Sequence, residues 1–256
     1  YNKSAAAPLT KRFEVQRQHA YTTHSYKHTT MGFIADIEDM PNQFEYSRTF
    51  FERWYRPEYA TVIIAGDIDP EAATAMVEKH WSSWRPGSGT PVPVPPEPAQ
   101  SAPVVVHHRW DSPTLPWVTI GFHGPAFSAT EKEYVALDFV FDLLFGETSD
   151  LYRRLVEREQ VVDQLFPYLP ASQDPGLATI MARVKRPEDT VYVRDAIAQT
   201  LAQAVFRPIP AKRLDDAKSH ARCAFVRTLD NSESIASTLA RFVRFERRYD
   251  TLNELF

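Results

Sequence analysis

Residues 60–81 read ATVIIAGDIDPEAATAMVEKHW. The first six are continuously apolar, short and rich in β-branched side chains, the pattern of a strand buried on both faces. Gly66-Asp67 turns the chain. Asp69 is a good N-cap, and Pro70 suits the first helical position, where its missing amide proton costs nothing. Ala73, Met76, Val77, His80 and Trp81 then recur at helical spacing. The spacing predicts a strand, a tight turn and a helix closing an α/β sheet.

On the N-terminal side, Pro41 opens a predicted helix to about Tyr55, with Phe44, Phe51 and Tyr55 on one face and Phe50 and Trp54 beside it. On the C-terminal side, residues 86–103 read PGSGTPVPVPPEPAQSAP and hold seven of the chain's 20 prolines and two of its eight glycines. Proline lacks the amide proton that a helix or central strand needs, so the tract is read as an extended spacer between domains. The alternative is a long surface loop within one domain.

Beyond the tract, VVVHHRW (104–110) and PWVTIGFHG (116–124) read as two strands. Ser128 with Glu131, or Thr130 with Glu133, offers a capping box for a helix through Phe145. A short helix is read over about Ser149–Arg158 and an extended stretch over Val161–Tyr168. Leu177–Lys185 alternates: Ala178, Ile180, Ala182 and Val184 face one way; Thr179, Arg183 and Lys185 face the other. Helices follow from Pro187, Pro210 and Asn231. The order of strands, helices, strands and helices defines an α+β chain, in which helices flank mixed or antiparallel sheets in two tandem α/β units. The expected division is 1–85, a linker at 86–103, and 104–256.

Composition narrows the function. At 43% apolar and 24% charged residues the chain can bury a core, and a net charge of −4 argues against a nucleic-acid footprint. Cys223 is the only cysteine, which excludes an internal disulfide and a cysteine zinc cluster. The longest apolar run, Tyr134–Phe145, is interrupted by Asp138 and Asp142 and is too short to span a bilayer. No G-x-S-x-G elbow, Walker loop or G-x-G-x-x-G is present; Gly87-Ser88-Gly89 lies in the Pro-rich tract with the wrong spacing.

His24 and His28 stand four apart in HSYKH. On a helix they would share a face, but position 25 is Ser and position 27 is Lys, so neither zincin glutamate is present. They read as surface or packing histidines. His107 and His108 are adjacent on a predicted strand and would face opposite ways. His80 is read as packing at a helix end.

Three segments, in order, resemble the pitrilysin/insulinase family of zinc metallopeptidases, which includes the mitochondrial processing peptidase. They are THSYKHTTMGFIADIEDM (23–40), FFERWYRPEYATVIIAGDIDPEAATAMVEKHW (50–81) and SDLYRRLVEREQ (149–160). The first departs from the family at Ser25, where Pro is usual. The resemblance implies a tail of a zinc-bearing domain, a joint at 86–103 and a companion domain of the inactive type. It implies zinc ligands, H-x-x-E-H plus a later glutamate, upstream of Tyr1, and none in this chain. It also implies an Arg and a Tyr, seven residues apart, that stabilise an oxyanion in one half of the assembly. Aligned on LYRRLVEREQVVD, these positions hold Val156 and Asp163, so this half is not expected to supply the pair. No catalytic residue is therefore assigned in this chain. Arg153, Arg154 and Arg158 read as surface charges.

The implied parent is a zinc endopeptidase acting on peptides in a clamshell chamber, with a homologous second half, subunit or copy as partner. Two alternatives stay open: a non-catalytic core or scaffold subunit of the same fold, and an unrelated two-domain binding protein. The chain opens at Tyr1 without a leader pattern and is expected to be part of something longer; periplasm and cytoplasm are both open.

Overall fold

The computed structural model describes residues 2, 6–87 and 93–255. Residues 88–92 of the Pro-rich tract lie outside them. In chain order the elements are α1 (Pro8–Ala20), α2 (Ile34–Glu38), α3 (Phe44–Trp54), α4 (Pro70–Trp81), β1 (Trp117–His123), α5 (Lys132–Phe145), α6 (Asp150–Tyr152), β2 (Val162–Tyr168), β3 (Leu177–Val184), α7 (Thr190–Ala204), α8 (Ala211–Arg227), α9 (Ser232–Glu246) and α10 (Thr251–Leu255). A π-helical turn, Arg153–Arg158, continues α6. The chain divides into a larger unit (1–29 and 96–221) and a smaller one (30–95 and 222–256).

The larger unit is built on a three-stranded antiparallel sheet in the order β1-β3-β2. The central strand is apolar on both faces, and both are covered. On one face Ala178, Ile180, Ala182 and Val184 meet Phe141 and Phe145 of α5 and Val193, Ala196 and Ile197 of α7. On the other, Thr179 and Met181 are equally buried. There α1 lies across the sheet: Arg12 donates to Thr119 Oγ1 at 2.9 Å, and the Phe13 ring meets Tyr168 edge-on at 6.0 Å. Gly121 lies beneath this helix: a Cβ there would stand 2.6 Å from Gln16 Nε2, at the movable tip of that side chain. Alternation in 177–185 marks only one face as apolar; the helix that covers the second face carries no strong stripe of its own and is the element that sequence reading passes over.

Several expectations hold in detail. Asp69 caps α4, accepting from Glu71 N at 2.8 Å and Ala72 N at 3.0 Å with Pro70 behind it. Asn231 caps α9 through Ser234 N. Others are corrected. Ser128 accepts from Thr130 and Glu131 amides in the turn before α5, so the helix starts at Lys132 with Glu131 as its N-cap and no side-chain cap. VVVHHRW is not a strand, and Val104 and Val105 are exposed.

The clearest correction concerns residues 60–65. They carry no ladder hydrogen bonds, and Val62 and Ile64 are 49% and 48% exposed. A strand exists only where a neighbour takes up its backbone N–H and C=O groups. Among the described residues of the smaller unit there is no such neighbour. The same unit leaves Phe44, Phe51 and Tyr55, the predicted apolar face of α3, exposed with Met76 and Trp81 of α4. Among the described residues its buried side chains are few: Val243, Thr251 and Leu252.

Truncating the core of the larger unit should therefore be costly. Phe145→Ala and Ile180→Ala are each expected to lower unfolding free energy by about 2–5 kcal/mol. Urea denaturation followed by circular dichroism would check this; a loss under about 1 kcal/mol would mean that β3 is not the core strand.

Candidate functional site

The segment from Ser149 to Asp163 leads from α5 into the sheet. Ser149, fully buried, caps α6 by accepting from Tyr152 N at 3.0 Å. Leu151 and Leu155 anchor the segment in the core, and Val156 packs against that core from its edge. The widened turn ends with Gln160 in the left-handed region at φ 53°. There the Val161 amide returns to Leu155 O at 3.0 Å, a closure six residues back that fits the widened turn before it. A non-glycine residue in this conformation carries strain of about 1 kcal/mol, held by the packing on either side.

The strand that follows is bulged. Val162 pairs with Val184 and Gln164 with Arg183, so Asp163 is the extra residue. Its carboxylate takes a bidentate grip on Arg183: Nε to Oδ1 at 2.8 Å and Nη2 to Oδ2 at 2.7 Å. The hydrogen bonds and charge of Arg183 outweigh partial burial and hold the Asp163 carboxyl below its ordinary range. The Arg183 guanidinium also lies 5.9 Å from the Trp117 ring centroid, and Arg12 lies over the same ring at 5.2 Å. Burial lowers Arg12 to a pKa of about 10, which leaves it charged at neutral pH. Its Nε and Nη2 are buried without a hydrogen-bond partner, so the Phe13 and Trp117 ring faces provide much of its stabilisation.

Val156 and Asp163, the positions that the resemblance aligns with an oxyanion pair, are thus an apolar side chain packed on a core and a carboxylate committed to a neighbouring cation. Neither can donate a hydrogen bond to a developing oxyanion. Sequence reading located both residues but not the partner. Arg183 faces outward in the alternation of β3, and only the antiparallel register brings it to Asp163.

The histidines are placed separately. Residues 25–27 form a 3-10 turn, not an α-helix, so the four-residue spacing does not put His24 and His28 on one face. His24 is buried, its Nδ1 accepting from Tyr26 N at 3.0 Å and its Nε2 lying 3.3 Å from Asp174 Oδ2. His28 is exposed, with Nδ1 at 2.9 Å from Thr29 O. His80 is exposed on the last turn of α4 rather than packed, and His107 and His108 are exposed outside any strand. Cys223 is an exposed free thiol. Among the described residues, no three His, Cys, Asp or Glu side chains come together as a metal site, and no helix is long and apolar enough to cross a membrane.

A three-stranded antiparallel sheet carrying helices, with a capped, widened turn leading into a bulged strand, makes the larger unit an α+β domain. The chain belongs to the peptidase M16 inactive domain family, whose profile matches residues 43–220. Over 228 residues it is 28% identical to zinc protease PqqE of Helicobacter pylori (strain ATCC 700392 / 26695), covering 88% of this chain and 50% of that protein. The crystal structure of a protease from Helicobacter pylori superposes with a TM-score of 0.85 at 25% identity, over 98% of this chain and 62% of that one. A peptidase M16 inactive domain from Pseudomonas fluorescens shares the fold, with a TM-score of 0.77 at 16% identity, over 100% of this chain and 60% of that one. The chain spans about half the length of the curated relative it matches.

Two substitutions probe the site. Asp163→Asn should cost about 1 kcal/mol, the scale of a partly exposed ion pair. Because the folded carboxyl is depressed, the pair contributes stability above the unfolded value near 3.9 and loses it as pH falls further. The difference between the two proteins, followed by denaturation against pH, should hold steady above about pH 5 and shrink below about pH 4. Arg12→Met removes a largely buried cation without a carboxylate partner and should be neutral or stabilising in the same assay; a large loss would mean that the cation itself holds α1 in place.

Proposed function

We propose that this chain is part of a zinc-dependent endopeptidase that hydrolyses peptides between two homologous halves. In this reading residues 1–85 are the C-terminal part of the zinc-bearing-type domain, 86–103 the joint, and 104–256 the companion. Each compact unit takes chain from both sides of that joint. The zinc ligands lie upstream of Tyr1, and this chain supplies none. Among the described residues, the side chains do not fit zinc. The best-placed pair, His24 and Asp174, is one imidazole and one carboxylate, and the imidazole's other nitrogen is spent on Tyr26 N. No catalytic step is therefore routed through this chain's own residues. A second half, subunit or copy of the same fold would complete the chamber and supply the oxyanion donors.

One observation carries the reading. Residues 60–65 have the sequence of a buried strand, yet Val62 and Ile64 are about half exposed, with no strand beside them among the described residues. An apolar edge of this kind supports a sheet completed by more of the same polypeptide. The kinship with a zinc protease of about twice the length supports the activity. A non-catalytic core subunit of the same fold is the second reading, and Asp163 is equally compatible with it: a half without the oxyanion pair either borrows the pair from its partner or works without it.

Peptide hydrolysis by the full-length parent, with and without chelator and with any homologous subunit, tests this. Activity lost on chelation and restored by zinc is expected. Activity indifferent to chelation would overturn the zinc mechanism, and no hydrolysis in any combination would leave the scaffold reading. Separately, Ile64→Asp should change the stability of the 256-residue chain by under about 0.5 kcal/mol, as a surface substitution does, but destabilise the longer protein by several kcal/mol.

A further inference from the structure

The chain leaves the larger unit after Thr29 and re-enters it at Pro96. One residue past re-entry, the Glu97 carboxylate meets the outgoing chain. Its Oε1 accepts from Thr22 N and Thr22 Oγ1, both at 2.7 Å. Its Oε2 accepts from Thr23 N at 2.9 Å and His24 N at 2.8 Å. Three successive backbone amides and a hydroxyl thus converge on one side chain some 75 residues away in sequence. The segment it grips is rigid in its own right. Tyr21 and His24 are buried, the His24 and Tyr26 rings meet at 4.2 Å, and Asp174 N donates to Tyr26 Oη at 3.3 Å.

We propose that Glu97 is a clip that holds together the two points at which residues 30–95 depart from and return to the larger unit. The excursion is thereby carried on a closed base instead of on two independent strands. This inference stands apart from the proposed peptidase activity: it concerns how the Pro-rich tract ends. The tract's other end has a matching contact within the smaller unit, where Gly87 N donates to Glu58 Oε1 at 3.0 Å. A proline-rich spacer without anchors would leave its end points free over the whole of its length. Here a carboxylate takes up a backbone amide at either end.

Chemistry favours a permanent clip over a switch. Burial alone pushes the Glu97 carboxyl up. Hydrogen bonds from His24 N, the Thr22 hydroxyl, Thr22 N and Thr23 N outweigh it and bring the pKa down to about 2. The side chain is an anion at neutral pH, and hydrogen bonds to an anion are the strong kind.

The test uses the full polypeptide with Cys223→Ser, so that Gln18→Cys and Ser101→Cys can carry nitroxide labels on exposed positions flanking the contact. With Glu97 present, double electron–electron resonance should give a narrow distance distribution. Glu97→Ala should broaden it, and exchange at the Thr22, Thr23 and His24 amides should rise about tenfold while β3 amides keep their protection. If Glu97→Ala loosens β3 as well, the isosteric Glu97→Gln decides: a rise in exchange confined to residues 22–24 supports the clip. Unchanged exchange at those amides and an unchanged distance distribution overturn it.

Discussion

Strand β3 has two neighbours and two covered faces, and that is the condition on which the larger unit rests. Every ladder hydrogen bond in the sheet involves it, because β1 and β2 are both edges. A strand in that position must be apolar on both sides, and Leu177 to Ala182 are buried without interruption. Only Arg183, near the strand's end, is polar and partly exposed. It is also where the bulge falls and where Asp163 is held. The architecture of the candidate site follows from the point at which complete burial of β3 gives way.

Much of the α+β arrangement was legible. The Asp69-Pro70 start of α4, the start of α9 at about Asn231, β1 within 116–124 and the strands at 162–168 and 177–184 lie where local chemistry put them. The misses share a cause. Periodicity reports which faces could be buried, not whether anything is there to bury them. ATVIIA and VVVHHRW have strand composition but no partner among the described residues, so they stay extended and wet. The opposite error hides α1: its residues are mostly polar, and it meets the sheet through Arg12 and Phe13 with the amide of Gln16 over Gly121, for which no apolar stripe is required.

The candidate site was legible as positions and not as contacts. The alignment on LYRRLVEREQVVD singled out Val156 and Asp163. Nothing local announces that Asp163 is a bulged residue or that Arg183, twenty positions on, is its partner, because register is a property of two strands together. The histidine spacing failed for a related reason: four residues place side chains on one face only if the backbone between them is α-helical, and Ser25–Lys27 is a tighter turn. Glu97 was read only as part of a spacer, since a single acid among prolines has no local signature of the amides it will meet.

The uncovered aromatic and aliphatic side chains of the smaller unit also bear on colloidal behaviour. Phe44, Phe51, Tyr55, Met76 and Trp81 meet water on a unit with little interior of its own. Such a surface sets solubility more than the buried core does. Excluded salts such as sulfate, which strengthen burial, should promote association of these chains while firming the sheet of the larger unit. Conditions that favour the fold of one unit would then be those that make the other adhesive, so the two units ask for opposite solvents.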